Sequence, residues 1–570
     1  MHTRWFSAAL ALAGTAAANA GPTPTTAIDI RAERGPAGYT ALAVRIDFEG
    51  DADGESTLHL PDTWAGHSRY YRTIRDLRAD GAQLLPAEAD APQQRRLRHA
   101  LGAAVSVRYR VVIDGDGPEV EPSQANDYRV HVEPDFVFAL GEAYLAKPGH
   151  IAQNSPVRVR LGGFAPPHRV ASDLEHGAFG KPMDYGDAVE SVLIGGDIRV
   201  IDAGDGTRLA IRGGMRARDD AAWRQTFRRI ADAQRGYWRS AGEPYLVTIR
   251  TTPPPSPGAV SVGGTGRGDA FAFFATDNAE PFMLDRILAH EMMHTWVPGR
   301  IGGLRRDDGA ENWLSEGFTD WTAFRVSAGS GHWTAEQFAR AFNEKLQAYD
   351  LSPEREADNA RIVSGFWSSR HLQELPYQRG LLMATAWDAR VRRATGGRRD
   401  FDDVLRAMQA SAAAEPDKSA VSLLIDAMQS VAGLDIGPDL ERHIDRGAAI
   451  ELDADVFAPC GELARRERKP FHRGFDIEKT QADGGRIAGV VADGPAWRAG
   501  LRDGMRLIRR SGGEIGNAAV EIAYEVDDRG TPKTLRWLPE GEGLERYREF
   551  VPKPDMDAGQ RAVCREVMGG

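Results

Sequence analysis

Residues 281–296, PFMLDRILAHEMMHTW, decide how this 570-residue chain is read. Pro281 suits the first position of a helix, where its missing N–H would have no partner within the helix. Leu284, Ile287 and Leu288 then recur on one face, so the spacing predicts a helix that carries His290-Glu291-Met292-Met293-His294 at its end. Two histidines four residues apart project from one helix face, and both imidazoles can reach a single metal ion. Glu291 lies one position round, toward a water held at that ion.

A catalytic zinc site takes three protein ligands and keeps one position open. The third is available in ENWLSEGFTDWTAFR, residues 311–325, where Leu314, Phe318 and Trp321 form an apolar stripe while Glu316 and Asp320 share another face. His290, His294 and Glu316 make a His₂Glu set for one Zn²⁺. Asp320 can accept a hydrogen bond from the ring nitrogen that a ligand histidine does not use, which fixes its tautomer. Glu291 stays off the metal and serves as the base.

Outward from this pair of helices the period changes. Upstream, Trp223, Phe227, Ile230 and Tyr237 recur at helical spacing, YLVTIR (245–250) reads as a strand, TTPPPSPG forces a loop, and GDAFAFFATD reads as a second strand. Downstream to about residue 450 helical signals dominate, including RGLLMATAWDARVRR. Nearer the N-terminus, YTALAVRIDF (39–48) and LGAAVSVRYRVVI (101–113) alternate with period two, and YRVHVEPDFVF and PVRVRL continue the pattern. The reading is a multidomain α+β chain. It has an N-terminal all-β domain over 21–165, a catalytic domain over 166–455 with a mainly helical second lobe, a small β module over 465–555, and a tail over 556–570.

Composition sets the outer limits. Hydrophobic residues at 42% and charged residues at 27% suit several packed domains. Lys plus Arg total 71 against 82 Asp plus Glu, and the net charge of −11 gives no support to a nucleic-acid partner. Arg4, an apolar run from Trp5 to Gly14 and Ala18-Asn19-Ala20 have the layout of a signal peptide cleaved after Ala20, and no later segment is apolar enough to span a membrane. A periplasmic or secreted protein is expected. Cys460 and Cys564 are the two cysteines, and export permits a disulfide between them.

HEMMHTW, WLSEGFTDW and LPYQRGLLMATAWD together resemble the gluzincin metallopeptidases, and the match extends to the glycyl aminopeptidase family, the sixty-first metallopeptidase family. That resemblance implies an N-terminal β domain, a thermolysin-like catalytic domain and a C-terminal PDZ domain. It also implies an aminopeptidase that releases small N-terminal residues from peptide substrates. Tyr377-Gln378-Arg379-Gly380 is similar to a segment whose tyrosine stabilises the oxyanion in related aminopeptidases, and Tyr377 inherits that role. Gly494-Pro495-Ala496-Trp497-Arg498-Ala499-Gly500-Leu501 resembles the signature of bacterial PDZ domains, with Met505 where Asp is usual. A peptide C-terminus is expected at Arg473-Gly474-Phe475-Asp476, held by backbone amides beside an edge strand.

The chain departs from the family where a Gly-Gly segment usually carries an acid and a histidine. Here it reads Gly263-Gly264-Thr265-Gly266-Arg267. Gly263 and Gly264 are expected to align the peptide backbone, and Asp269 to hold its free ammonium. An endopeptidase using the same zinc, a hydrolase of non-peptide amides and a non-catalytic peptide-binding scaffold remain as alternatives.

Overall fold

The computed structural model describes residues 26–569 apart from 66, 114–118, 121–127, 176–181, 241, 243, 255–259 and 305–308. The expected leader over 1–20 lies outside the described residues. Two compact units are present, divided after Gly196.

In the first unit, strand Gly38–Glu49 turns Leu42, Val44, Ile46 and Phe48 inward, as its alternation requires. It lies between Thr26–Gly35 and Ala104–Val111 in a five-stranded sheet completed by Val157–Gly162 and Ile74–Asp80 at its edges. Val105, Val107, Tyr109 and Val111 join the same core. The unit does not end at residue 165. Strands Arg169–Ser172 and Val192–Gly196 extend a sheet with Phe136–Leu140 and His131–Glu133. Val192–Gly196 is buried at every position, so it shows no alternation from which a strand could be read.

The second unit opens with a five-stranded sheet in the order Arg199–Gly204, Thr207–Arg212, Tyr245–Thr252, Ala270–Thr276, Val262–Arg267. Among the described residues Val262–Arg267 is therefore an edge strand of this sheet, paired antiparallel to Ala270–Thr276. Helix Asp220–Trp238 buries Trp223, Phe227 and Ile230 in the same core as this sheet. Four helices of the helical lobe position the site. They are Pro281–Met293, which carries His290 and is followed directly by His294; Asn312–Gly329, which carries Glu316; Ala335–Asp350; and Arg370–Thr395, which carries Tyr377.

The glutamate and tyrosine helices cross with their backbones in contact. A Cβ added to Gly380 would lie 1.8 Å from Trp313 O, and one added to Gly317 would lie 2.3 Å from Gly380 Cα. Only glycine on both sides permits this approach. It brings Glu316, next to Gly317, and Tyr377, one turn before Gly380, toward the same place.

The C-terminal region is organised differently from the expected module and tail. Strands Gly461–Arg468 and Glu545–Pro552 pair with each other. They dock on helix Ala335–Asp350 through Asn343, which donates to Phe550 O and accepts from Phe550 N, and through the Arg548–Asp350 ion pair. Between them, residues 469–544 hold a separate core of Phe475, Ile487, Leu501, Met505, Ile522, Tyr524, Val526 and Trp537 beneath a three-stranded sheet. Met505 belongs to this core. After Asp476 the chain forms helix Ile477–Ala482 instead of an edge strand, because the Asp476 carboxylate caps Lys479 N.

The described part of the expected tail, residues 556–569, is folded. Asp557 and Gln560 form a capping box that starts helix Ala558–Val567, and Cys564, Val567 and Met568 are buried in the catalytic core. Cys460 and Cys564 are disulfide-bonded there, with their Cα atoms 5.0 Å apart. Among the described residues no helix is long and apolar enough to cross a membrane.

Candidate active site

The histidine helix is anchored by its apolar side. Phe282, Leu284, Leu288, Met292 and Met293 are buried, Gln234 Nε2 donates to Ala289 O at 2.6 Å, and Trp238 Nε1 donates to Met293 Sδ at 3.1 Å. His290 and His294 project from this helix toward Glu316. Their Nε2 atoms lie 3.2 Å apart, and Glu316 Oε2 lies 3.2 Å from that of His290 and 3.5 Å from that of His294. Among the described residues these three form a set whose donor atoms all fall within 4.8 Å and can hold a metal ion. With zinc–ligand distances of about 2.0–2.1 Å, the edges of a tetrahedron are about 3.4 Å. The observed triangle matches one face of that tetrahedron.

The other ring nitrogens are already spoken for. His290 Nδ1 faces Asp320 Oδ1 at 2.8 Å, and His294 Nδ1 faces Val297 O at 3.0 Å. Each acceptor calls for a proton on Nδ1 and leaves Nε2 with a lone pair toward the shared point. Asp320 sits where the sequence placed it. The Val297 carbonyl lies three residues beyond the motif, and no residue-type pattern announces it.

Charge in the site is set by competition between burial and neighbours. Burial alone would raise Glu316, but the two histidines outweigh it and hold its carboxyl below the ordinary range. Burial would likewise raise Asp320, and Lys345 and His290 instead hold it down at about 2. Glu291 moves the other way. Burial raises its pKa, with Glu316 and Asp320 adding to the effect against the two histidines. A carboxyl tuned upward beside a ligand set is suited to accept and return a proton. Tyr377 keeps its phenol proton, because burial and then the carboxylates of Glu316, Glu291, Asp320 and Glu374 push its pKa well above 10. Its ring stacks against that of His290 with centroids 5.7 Å apart.

The edge strand passes beside Glu291. A Cβ at Gly266 would stand 3.1 Å from Glu291 Oε2 and 3.7 Å from His294 Cδ2, so the backbone approaches the site at this glycine. Gly263 and Gly264 pair with Phe274 and Phe273 on the same strand. A Cβ on Gly264 would meet Ala272 O and the Phe271 ring at 2.5 Å, so its size is required by the neighbouring strand. Asp269 lies in the turn after this strand, outside the gathered ligand set. Sequence reasoning also missed Lys345, whose Nζ lies 3.0 Å from Asp320 Oδ2. A lone lysine on a predicted helix carries no signal of such a contact.

No family model and no curated protein matches the chain. Solved structures do. The chain is similar to the crystal structure of the aminopeptidase N family protein from Idiomarina loihiensis, with a TM-score of 0.64 and 14% identity over 92% of this chain and 98% of that one. The two share a fold. It is a multidomain α+β arrangement with an N-terminal β-sheet domain and a helical C-terminal region. An M1 zinc metallopeptidase from Deinococcus radiodurans also matches, with a TM-score of 0.48 and 14% identity over 75% of this chain and 94% of that one.

Proposed function

We propose that this protein is a zinc-dependent peptidase, most simply an aminopeptidase that releases small N-terminal residues. The observation that carries the reading is the convergence of His290, His294 and Glu316 at tetrahedral spacing, with Glu291 next to that set and beside the edge strand at Gly266. Zinc bound there would supply Lewis acidity toward a water molecule and a carbonyl oxygen. Glu291 takes the proton from the attacking water and passes it to the leaving amine. Tyr377 donates its phenol hydrogen to the developing oxyanion. The edge strand through Gly263, Gly264 and Gly266 offers backbone groups that can align an extended peptide.

The sequence motifs support a place in the glycyl aminopeptidase family, and the core over residues 469–544 supports a PDZ-like module at its C-terminal end. Peptide capture by that module has less behind it. Gly474 N already donates to His472 Nδ1 and Asp476 N to Ala488 O, and a helix follows in place of a strand. The signal-peptide pattern and the Cys460–Cys564 bond both favour work in an oxidising compartment outside the cytoplasm.

An endopeptidase on the same site is the second reading. It is favoured by the edge strand, which offers no carboxylate between Val262 and Arg267 to hold a free ammonium. Matched peptides with free and acetylated N-termini test both. Cleavage of the free form alone supports the aminopeptidase, equal cleavage of both supports the endopeptidase, and cleavage of neither by the zinc-loaded protein rejects peptide hydrolysis.

A further inference from the structure

Lys345 belongs neither to the ligand set nor to the groups that meet the substrate, yet it touches supports of both. It comes from helix Ala335–Asp350, whose other face is fixed by buried Phe338, Phe342, Leu346 and Tyr349. Its Nζ lies 3.0 Å from Asp320 Oδ2, 3.8 Å from Glu374 Oε2 and 4.5 Å from the centroid of the Tyr377 ring. Asp320 uses its other oxygen to hold His290 Nδ1, and the Tyr377 ring stacks on the His290 ring. One ammonium thus lies behind two groups that both abut the same ligand histidine. With only 17% of the side chain exposed, this lysine is not a solvated surface charge.

We propose that Lys345 is a positioning residue that holds Asp320 and Tyr377 in register with the metal ligands. The proposal deepens the zinc-peptidase reading and rests on it. By engaging Asp320 Oδ2, Lys345 leaves Oδ1 as the oxygen that faces His290, so the carboxylate cannot rotate without losing one partner. By lying over the face of the Tyr377 ring, it restrains the ring through cation–π attraction and so fixes the direction of the phenol O–H. Glu374 stands one helical turn before Tyr377 and steadies the ammonium from the tyrosine helix. Three helices are coupled through one charge. Removing it should loosen the metal site and the oxyanion donor together.

Lys345→Met keeps the aliphatic stem and removes the charge, while Lys345→Arg keeps the charge. Zinc affinity, read by competition with a chromophoric chelator, should weaken about tenfold in Lys345→Met and stay within about threefold of wild type in Lys345→Arg. In an Asp320→Asn background the same Lys345→Met change should alter zinc affinity by less than about twofold, because the partner carboxylate is already lost. At saturating zinc, Lys345→Met should lower kcat about tenfold with KM within about twofold. Wild-type zinc affinity in Lys345→Met, equal losses in both backgrounds, or a raised KM with unchanged kcat overturns the proposal. Should Lys345→Met not accumulate as folded protein, Lys345→Gln read in the same way decides. The zinc measurement needs no substrate, so a wild-type protein that binds zinc but cleaves no peptide overturns the peptidase reading while the zinc arm still judges Lys345.

Discussion

His290 Nδ1 and Asp320 Oδ1 meet at 2.8 Å across two helices, and this contact ties the first proposed metal ligand to the helix that supplies the third. Asp320 is one turn beyond Glu316, so the same rigid element sets the ring's orientation and offers the carboxylate ligand. Asp320→Ala is expected to weaken zinc binding by about 10- to 100-fold, with Asp320→Asn the milder change because the amide oxygen can still accept from Nδ1–H. Titration in zinc buffers measures both. Unchanged affinity in both variants would mean that another contact orients the ring.

In the proposed mechanism Glu291 carries a different burden, taking a proton instead of holding metal. Glu291→Gln keeps size and polarity and removes the ability to take a proton, so turnover should fall by at least about 100-fold while zinc content stays stoichiometric. Elemental analysis alongside rate measurement separates the two effects. Near-normal turnover would reject Glu291 as the base.

Metal uptake should be coupled to pH. Burial opposes the charged form of His290, but Asp320, Glu316 and Glu291 together outweigh it and raise the ring's pKa from 6.5 to about 10 in the metal-free protein. His294 is raised as well, with Glu316 and Glu291 together prevailing over burial and the neighbouring His290. With its pKa raised to about 10, His290 is protonated at neutral pH and must lose that proton to ligate, so zinc affinity is expected to rise with pH by about tenfold per unit for each proton released. The same shift stabilises the metal-free fold fully below pH 6.5, and that contribution is lost as pH rises through about 10. Calorimetry of zinc binding in buffers of different ionisation enthalpy counts the protons. Zero release at neutral pH would show both rings already neutral.

The legible part of the site was the part encoded within single helices. His290 and His294, like Glu316 and Asp320, are four residues apart, and helical geometry alone puts each pair on one face. Strands such as Gly38–Glu49 were legible because one face is buried and the other is wet. Lys345 and Gly266 were not, because their roles arise where separate elements meet. Val192–Gly196 offered no alternation to read. The helix at Ala558–Val567 did leave a signal, the Asp557 to Gln560 spacing of a capping box, but three turns of mixed residues give too short a period to show which face is buried.

Close packing of Gly317 on Gly380 makes a prediction that touches stability and catalysis at once. A methyl at Gly380 would sit 1.8 Å from Trp313 O, a backbone atom that cannot swing aside. Gly380→Ala should therefore push the glutamate and tyrosine helices apart, costing about 3 kcal/mol or more. Thermal denaturation reads that cost. Ala384→Gly, at a buried position one turn further along the tyrosine helix, controls for helix propensity and should cost about 1 kcal/mol from that source plus any loss of packing. A Gly380→Ala protein as stable as wild type would show that the crossing is looser than the backbone contact requires.

Both cysteines of the Cys460–Cys564 bond are buried in the catalytic core, apart from the core over residues 469–544. The helix that carries Cys564 delivers the carbonyls of Glu566 and Val567 to Arg325, a buried arginine on the glutamate helix that also pairs with Asp402 at 3.0 Å. Gly569 packs against the Arg325 backbone so closely that a Cβ there would meet Arg325 O at 2.3 Å. Without the bond the chain end can lift away and leave the Arg325 guanidinium short of two acceptors, and a buried charge with lost partners is costly. Closing a loop of 104 residues further disfavours the unfolded chain. Cys460→Ser with Cys564→Ser should therefore destabilise the catalytic unit by about 2–5 kcal/mol. Hydrogen exchange should show faster exchange first in residues 558–567 and in the C-terminal turns of the glutamate helix, with the core over 469–544 little changed. Faster exchange confined to residues 469–544 would show that the bond steadies that module instead.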